Sequence, residues 1–213
     1  MKLFLTSEGL VPETTPHFLK LLGRKPDGLK VAFIPAAADY KRVRGGYVSN
    51  DMARLKELGF SVEEVDLRKE NEKSLKKKLA GFDVVFVCGG NTFYLMTHVR
   101  ESGFAKVVLK FLDVGGIYVG VSAGSMIAGL NIESATWKHV DRNIAGLKDL
   151  TGMGFVPFIL SVHIDDSNLG MVAEQAKKAN QPVIALTDKQ AVLVDGDGWK
   201  IVGPGKKMIF NLK

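Results

Sequence analysis

The stretch Gly120-Val121-Ser122-Ala123-Gly124 carries the spacing most suggestive of chemistry in this chain. An apolar run ends at a serine flanked by two glycines, and a small, helix-compatible run follows. On a strand-to-helix turn, this G-x-S-x-G pattern makes a nucleophile elbow. A serine on so sharp a turn has strained backbone angles, and its neighbours must lack side chains that would block close approach. The helix beyond it aims free N–H groups at the site, where they stabilise a developing oxyanion. The hydroxyl is a poor nucleophile at its own pKa, so acyl transfer also needs an imidazole within hydrogen-bond reach.

Of the four histidines, His17 and His98 fall in helical stretches and His139 in an irregular one. His163 instead stands where an apolar strand at residues 156–162 runs out, on the same edge of the sheet as Ser122. A carboxylate is then wanted to fix the imidazole tautomer. Asp188 follows another strand end, Asp165 lies two residues from His163, and Glu133 and Asp141 are further candidates. Asp165 and Asp166 also suit the cap of the next helix. The run Cys88-Gly89-Gly90-Asn91-Thr92 sits after a buried strand, and its paired glycines expose backbone N–H groups. Together with the N–H of Ala123 they would complete an oxyanion hole, while Asn91 suits a helix N-cap. Phosphate binding stays an alternative for this turn, although no Walker lysine follows and the pattern is not G-x-G-x-x-G. There is no H-x-x-x-H or C-x-x-C, so no metal or cofactor is expected.

The elements that must position these groups alternate. Strands are expected at residues 3–6, 30–35, 61–67, 83–88, 117–121, 156–162 and 183–186. Helical stripes lie between them, the first opening at Thr15-Pro16 and the last covering residues 166–180. Several strands are continuous apolar runs, which a parallel sheet covered on both faces requires. Asp-Gly pairs within residues 190–202 predict an antiparallel ribbon at the end of the sheet. The expected architecture is a three-layer α/β/α domain with a mostly parallel sheet, spanning residues 1–213 as one unit. In such sheets ligands bind beyond the carboxyl ends of the strands.

Composition narrows the function classes. A hydrophobic fraction of 46% and a charged fraction of 24% are those of an ordinary globular chain. The start reads as a strand rather than a signal peptide, and no apolar run reaches membrane-spanning length. The lone cysteine, Cys88, excludes an internal disulfide and fits a cytoplasmic setting. The net charge of +6 includes Lys76-Lys77-Lys78 and Lys206-Lys207, short runs without interleaved aromatics. They read as solvated faces, so neither a nucleic-acid nor a membrane partner is expected.

Taken together, Gly89-Gly90-Asn91-Thr92-Phe93, the Ser122 pentapeptide, His163 after a strand and Ile184-Ala185-Leu186-Thr187-Asp188 resemble the peptidase E family of serine peptidases. That family includes aspartyl dipeptidase and, more distantly, cyanophycinase. The resemblance spans nearly the whole chain and implies a class I glutamine amidotransferase-like fold. It also implies Ser122 as nucleophile, His163 as base, and Gly89-Gly90 as an oxyanion element acting on small peptides. Asp188 falls where cyanophycinase-like members carry the orienting glutamate. Aspartyl dipeptidase is assigned an aspartate about fifteen residues after the serine, where this chain reads Ala135-Thr136-Trp137-Lys138. Asp188 is therefore preferred. Ala173 replaces the arginine with which aspartyl dipeptidase pairs its substrate's aspartate, so an N-terminal aspartate preference is not expected. Alternatives are a serine esterase or amidase and a non-catalytic small-molecule-binding domain on the same scaffold. The oligomeric state is open, a homodimer included.

Overall fold

The computed structural model describes residues 1–138 and 141–212, and His139 lies outside them. Five strands are parallel: β1 (Lys2–Thr6), β2 (Lys30–Ile34), β3 (Ser61–Glu64), β4 (Val84–Val87) and β5 (Ile117–Val121). The hairpin of β8 (Ala191–Asp195) and β9 (Gly198–Val202) extends this sheet through an antiparallel pairing with β1, giving the order β3-β2-β4-β5-β1-β8-β9. Phe4, Phe33, Phe86 and Val119 pack on one face, while Leu3, Leu5, Ile34 and Val85 pack on the other. With both faces dry, residues of either parity must be apolar, hence the unbroken hydrophobic runs.

Helices α1 (Thr15–Leu22) and α2 (Gly46–Glu57) supply side chains to the face that holds Phe4. Helices α3 (Glu72–Leu79), α4 (Thr92–Ser102) and α5 (Phe104–Asp113) supply the opposite one. Asn91 caps α4 by accepting a hydrogen bond from the Tyr94 N–H at 2.9 Å, so one residue serves the helix and the loop beside the site. One-turn helices α6 (Ala123–Met126) and α7 (Ser134–Trp137) follow β5.

Four local readings are revised. Thr14 rather than Thr15 precedes the first helix; the Thr15 hydroxyl bonds back to the Leu10 and Val11 carbonyls. The strand expected at residues 61–67 stops at Glu64, because the Asp66 carboxylate takes the Arg68 N–H and starts a 3₁₀ turn. The last long helix, α8, is shorter than expected at Leu169–Lys178. The strand at residues 156–162 is reduced to β6 (Ile159–Ser161), and it leaves the main sheet. It pairs with β7 (Val183–Ala185), which also takes the unforeseen β10 (Met208–Phe210), as a separate three-stranded sheet. Ile159, Val183 and Ala185 share a satellite core there with Val172 and Ala176 of α8. His163 therefore reaches the site from a second sheet rather than from the same edge. Among the described residues no helix is long and apolar enough to cross a membrane.

The elbow is tightly packed against its own backbone and that of β4. A Cβ on Gly120 would fall 2.5 Å from the Gly124 carbonyl oxygen, and one on Gly124 would fall 2.3 Å from that of Val87. Gly120→Ala is therefore expected to destabilise the protein by about 1–3 kcal/mol through overpacking. Equilibrium denaturation of the variant against wild type measures this directly.

Candidate active site

Ser122 leaves β5 with φ 49° and ψ −109°, a conformation non-glycine residues rarely hold. Three groups fix it there. Its N–H donates to the Thr6 carbonyl at 3.0 Å, and the buried Tyr118 hydroxyl donates to the Gly124 carbonyl at 2.6 Å. The Ser125 hydroxyl lies 2.7 Å from both the Thr6 and Gly120 carbonyls.

His163 faces it, also with a positive φ of 56°. Its Nε2 lies 2.9 Å from Ser122 Oγ, and its Nδ1 lies 2.6 Å from Asp188 Oδ1. The three residues thus form one continuous hydrogen-bonded chain. The hydrogen bond from His163 draws the Asp188 carboxyl down to about 2, against the opposing effect of burial. Ser7, just beyond β1, ties the pair together. It accepts a hydrogen bond from the His163 N–H at 2.7 Å and donates to Asp188 Oδ1 at 2.8 Å. The backbone around the ring is held as well: Asn168 Nδ2 donates to the His163 carbonyl at 2.9 Å, and Lys138 Nζ donates to the Val162 carbonyl.

The other acids are engaged elsewhere. Asp165 accepts from the Ser167 N–H and hydroxyl and the Asn168 N–H, tying the turn that leads into α8. Asp141 accepts from the Thr92 N–H at 2.9 Å and the Thr92 hydroxyl at 2.5 Å, while burial raises its carboxyl. Glu133 stands at the start of α7 and lines neither hollow beside Ser122.

A cleft of about 480 Å³ opens over Ser122 and His163, bounded by Gly89, Gly90, Tyr47 and Asp51. A smaller hollow of about 100 Å³ on the side of α6 and α7 includes Met126 and Lys138, whose ammonium burial disfavours. The Gly89 Cα faces Ser122: a Cβ there would lie 3.1 Å from Ser122 Cβ. Gly90 presses on the Ala37 carbonyl, which also accepts from the Asn91 N–H at 2.8 Å. Among the described residues, the N–H groups of Gly89, Gly90 and Ala123 have no backbone acceptor outside the regular elements. Ala173 and Lys177 of α8 line neither hollow.

Glu8, His163 and Asp188 bring potential metal-ligand atoms within 4.8 Å of one another. Both ring nitrogens of His163 are already engaged, so a metal there would have to break the chain from Ser122 to Asp188.

The model of peptidase family S51 matches residues 3–202. The chain belongs to peptidase family S51. Membership makes it a serine-type peptidase, a hydrolase. An uncharacterised peptidase of Listeria monocytogenes is 29% identical over 91% of this chain and 94% of its own length. A peptidase E of Citrobacter koseri is 25% identical over 99% of this chain and 94% of its own. A solved structure from Listeria monocytogenes EGD-e, named as a peptidase E protein, superposes with a TM-score of 0.82 at 26% identity, covering 96% of this chain and 98% of that one. The fold of this S51 peptidase is thus the class I glutamine amidotransferase-like one.

Sequence reasoning missed Ser7, Glu8 and Asp51. Ser7 follows a strand end, and the rule that ligands gather beyond such ends could have drawn attention to it. Nothing in the local pattern marks Asp51, which lies within α2.

Two outcomes are expected. Ser7→Ala leaves the His163 N–H and one Asp188 lone pair without their partner. It should lower kcat more than it raises KM and cost about 0.5–1.5 kcal/mol of stability, read by steady-state kinetics and urea denaturation. The second concerns acid stability. Asp188 has its carboxyl lowered from 3.8 to about 2, so its contribution is present above pH 4 and is lost as pH falls towards 2. The pair is nearly half exposed, which reduces that contribution to roughly 1 kcal/mol or less. The stability gap between wild type and Asp188→Asn should therefore narrow from pH 6 to pH 2.

Proposed function

We propose that this S51 peptidase cleaves small peptides through an acyl-enzyme on Ser122, with His163 as general base and Asp188 as the residue that orients it. The observation that carries this reading is the hydrogen-bonded chain with spacings of 2.9 Å and 2.6 Å from hydroxyl to imidazole to carboxylate. In the resting tautomer Nδ1–H donates to Asp188, leaving Nε2 to accept from the Ser122 hydroxyl. The hydroxyl oxygen attacks the scissile carbonyl while its proton passes to Nε2. The resulting imidazolium is stabilised by the Asp188 carboxylate. The oxyanion turns towards the N–H groups of Ala123 and the Gly89-Gly90 turn, where Gly89 leaves space beside the nucleophile.

The tetrahedral species then expels the amine. The C–N bond breaks as Nε2 returns its proton to the nitrogen. Water enters, gives a proton to Nε2 and attacks the ester carbonyl, and collapse restores the Ser122 hydroxyl with release of the acid. No residue in this sequence changes oxidation state, and the proton count closes over one cycle. A cytoplasmic setting agrees with a free, buried Cys88.

A fluorophosphonate probe tests the nucleophile, because it reacts with activated serines. Wild type should label at Ser122, and Ser122→Ala should lose labelling together with roughly 10⁴–10⁶ of the hydrolytic rate. Undiminished labelling of that variant would remove Ser122 from the mechanism. Asp188→Asn should lower kcat far more than Asp165→Asn, whose carboxylate serves the turn before α8. The reverse ranking, with both variants folded, would move the orienting role to Asp165.

A further inference from the structure

The large cleft has more carboxylates than its chemistry uses. Asp188 is committed to His163 and Ser7, and Asp141 to Thr92. Glu8 and Asp51 line the cleft; Glu8 also meets the Asp188 side chain, and neither takes up or gives a proton in the proposed hydrolysis. Asp51 is largely buried. Burial and repulsion from Glu8 push its carboxyl up to about 7, and among the described residues no hydrogen bond offsets them. Gly9 presses against it, since a Cβ there would fall 2.5 Å from Asp51 Oδ1. The chain thus holds an acid beside another acid, in the hollow that must receive substrate.

The rest of the lining has matching chemistry. Tyr40 and Tyr47 border the same cleft, and aromatic faces attract cations. Lys41 is the only lysine or arginine among the described lining residues; it is exposed and sits 5.3 Å from the centroid of the Tyr40 ring. An incoming cation would offset both the burial of Asp51 and its repulsion from Glu8, and charge-assisted hydrogen bonds to carboxylates are among the stronger ones. An acidic substrate side chain would instead meet like charges, on a cleft to which Ala173 contributes no cation.

We propose that Asp51 and Glu8 form a cation subsite beside Ser122, which receives an ammonium group of the peptide. This inference rests on the peptidase reading of the same cleft and names its substrate class. The ammonium comes either from the peptide N-terminus or from a basic side chain, and the experiment separates the two.

The measurement is protection of Ser122 from fluorophosphonate labelling by Ala-Ala, N-acetyl-Ala-Ala, N-acetyl-Lys-Ala and Asp-Ala. Each rate is taken relative to the same variant without peptide. Ala-Ala or N-acetyl-Lys-Ala should protect at concentrations about tenfold lower than N-acetyl-Ala-Ala, a difference of about 1.4 kcal/mol. An advantage for Ala-Ala assigns the ammonium to the N-terminus, and one for N-acetyl-Lys-Ala assigns it to the side chain. Asp-Ala should protect less well than Ala-Ala. Asp51→Asn should shrink the advantage of the cationic peptide, and Glu8→Gln, at an exposed position, gives the same reading should the first variant fail to fold. Equal protection by N-acetyl-Ala-Ala, no protection by any peptide, or an unchanged advantage in the folded variants would overturn the subsite. Failure of wild type to label strikes the serine mechanism instead. Calorimetric binding of the same peptides to Ser122→Ala then decides the subsite on its own.

Discussion

The structure turns on the strained backbone of Ser122. A residue at φ 49° and ψ −109° costs on the order of 1–3 kcal/mol relative to a relaxed one. It persists only because its surroundings leave no alternative. β5 is held between β4 and β1, so the entry direction of the chain is fixed by two strands. The exit direction is fixed by the Tyr118 and Ser125 hydroxyls, each bonded to carbonyls of the turn itself. Gly120 and Gly124 then let the turn close against its own backbone and that of β4. The same geometry that costs stability lifts the hydroxyl out of the sheet, beside the Ala123 N–H, which has no backbone acceptor outside the regular elements among the described residues.

A second constraint mirrors the first. His163 also has a positive φ, and it arrives from the small β10-β7-β6 sheet rather than from the main one. Two separately built strand ends must therefore meet within hydrogen-bond distance. Ser7 spans the gap. It extends β1, in the main sheet, while bonding to the backbone of His163 and the side chain of Asp188, both of which follow strands of the small sheet. One hydroxyl thus registers the two sheets at the point where about 1 Å of misplacement is expensive for reactivity.

This division explains what the sequence made legible. The elbow was readable because its requirements are local: an apolar strand, a serine, and glycines where a Cβ would collide. The Gly89-Gly90 turn was readable for the same reason, with Asn91 serving both as helix cap and as part of the loop. The parallel core was readable because dry faces on both sides force continuous apolar runs. The acid was not settled by pattern, since four carboxylates stood near strand ends or the histidine. The structure puts Asp188, rather than Asp165, Asp141 or Glu133, beside Nδ1 of His163. Ser7 was hidden because its partners lie more than a hundred positions away, and the departure of β6 because its pairing with β7 leaves no local pattern. A three-residue strand such as Ile159-Leu160-Ser161 carries no mark of the sheet it will join.

Net charge and local charge also point in opposite directions here. The chain carries +6, yet the wall of its cleft is acidic. A solvated surface charge acts over a Debye length of about 10 Å and weakens with salt. A carboxylate that is mostly buried, as Asp51 is, escapes much of that screening and acts at contact range. The lysine runs on α3 and before β10 lie mostly on solvated faces, away from the cleft. What the cleft accepts is set instead by the few groups that lose water when a substrate enters. A basic protein with an acidic cleft is then no contradiction: the long-range field and the desolvated contact act on different parts of the encounter, and only the second discriminates between peptides.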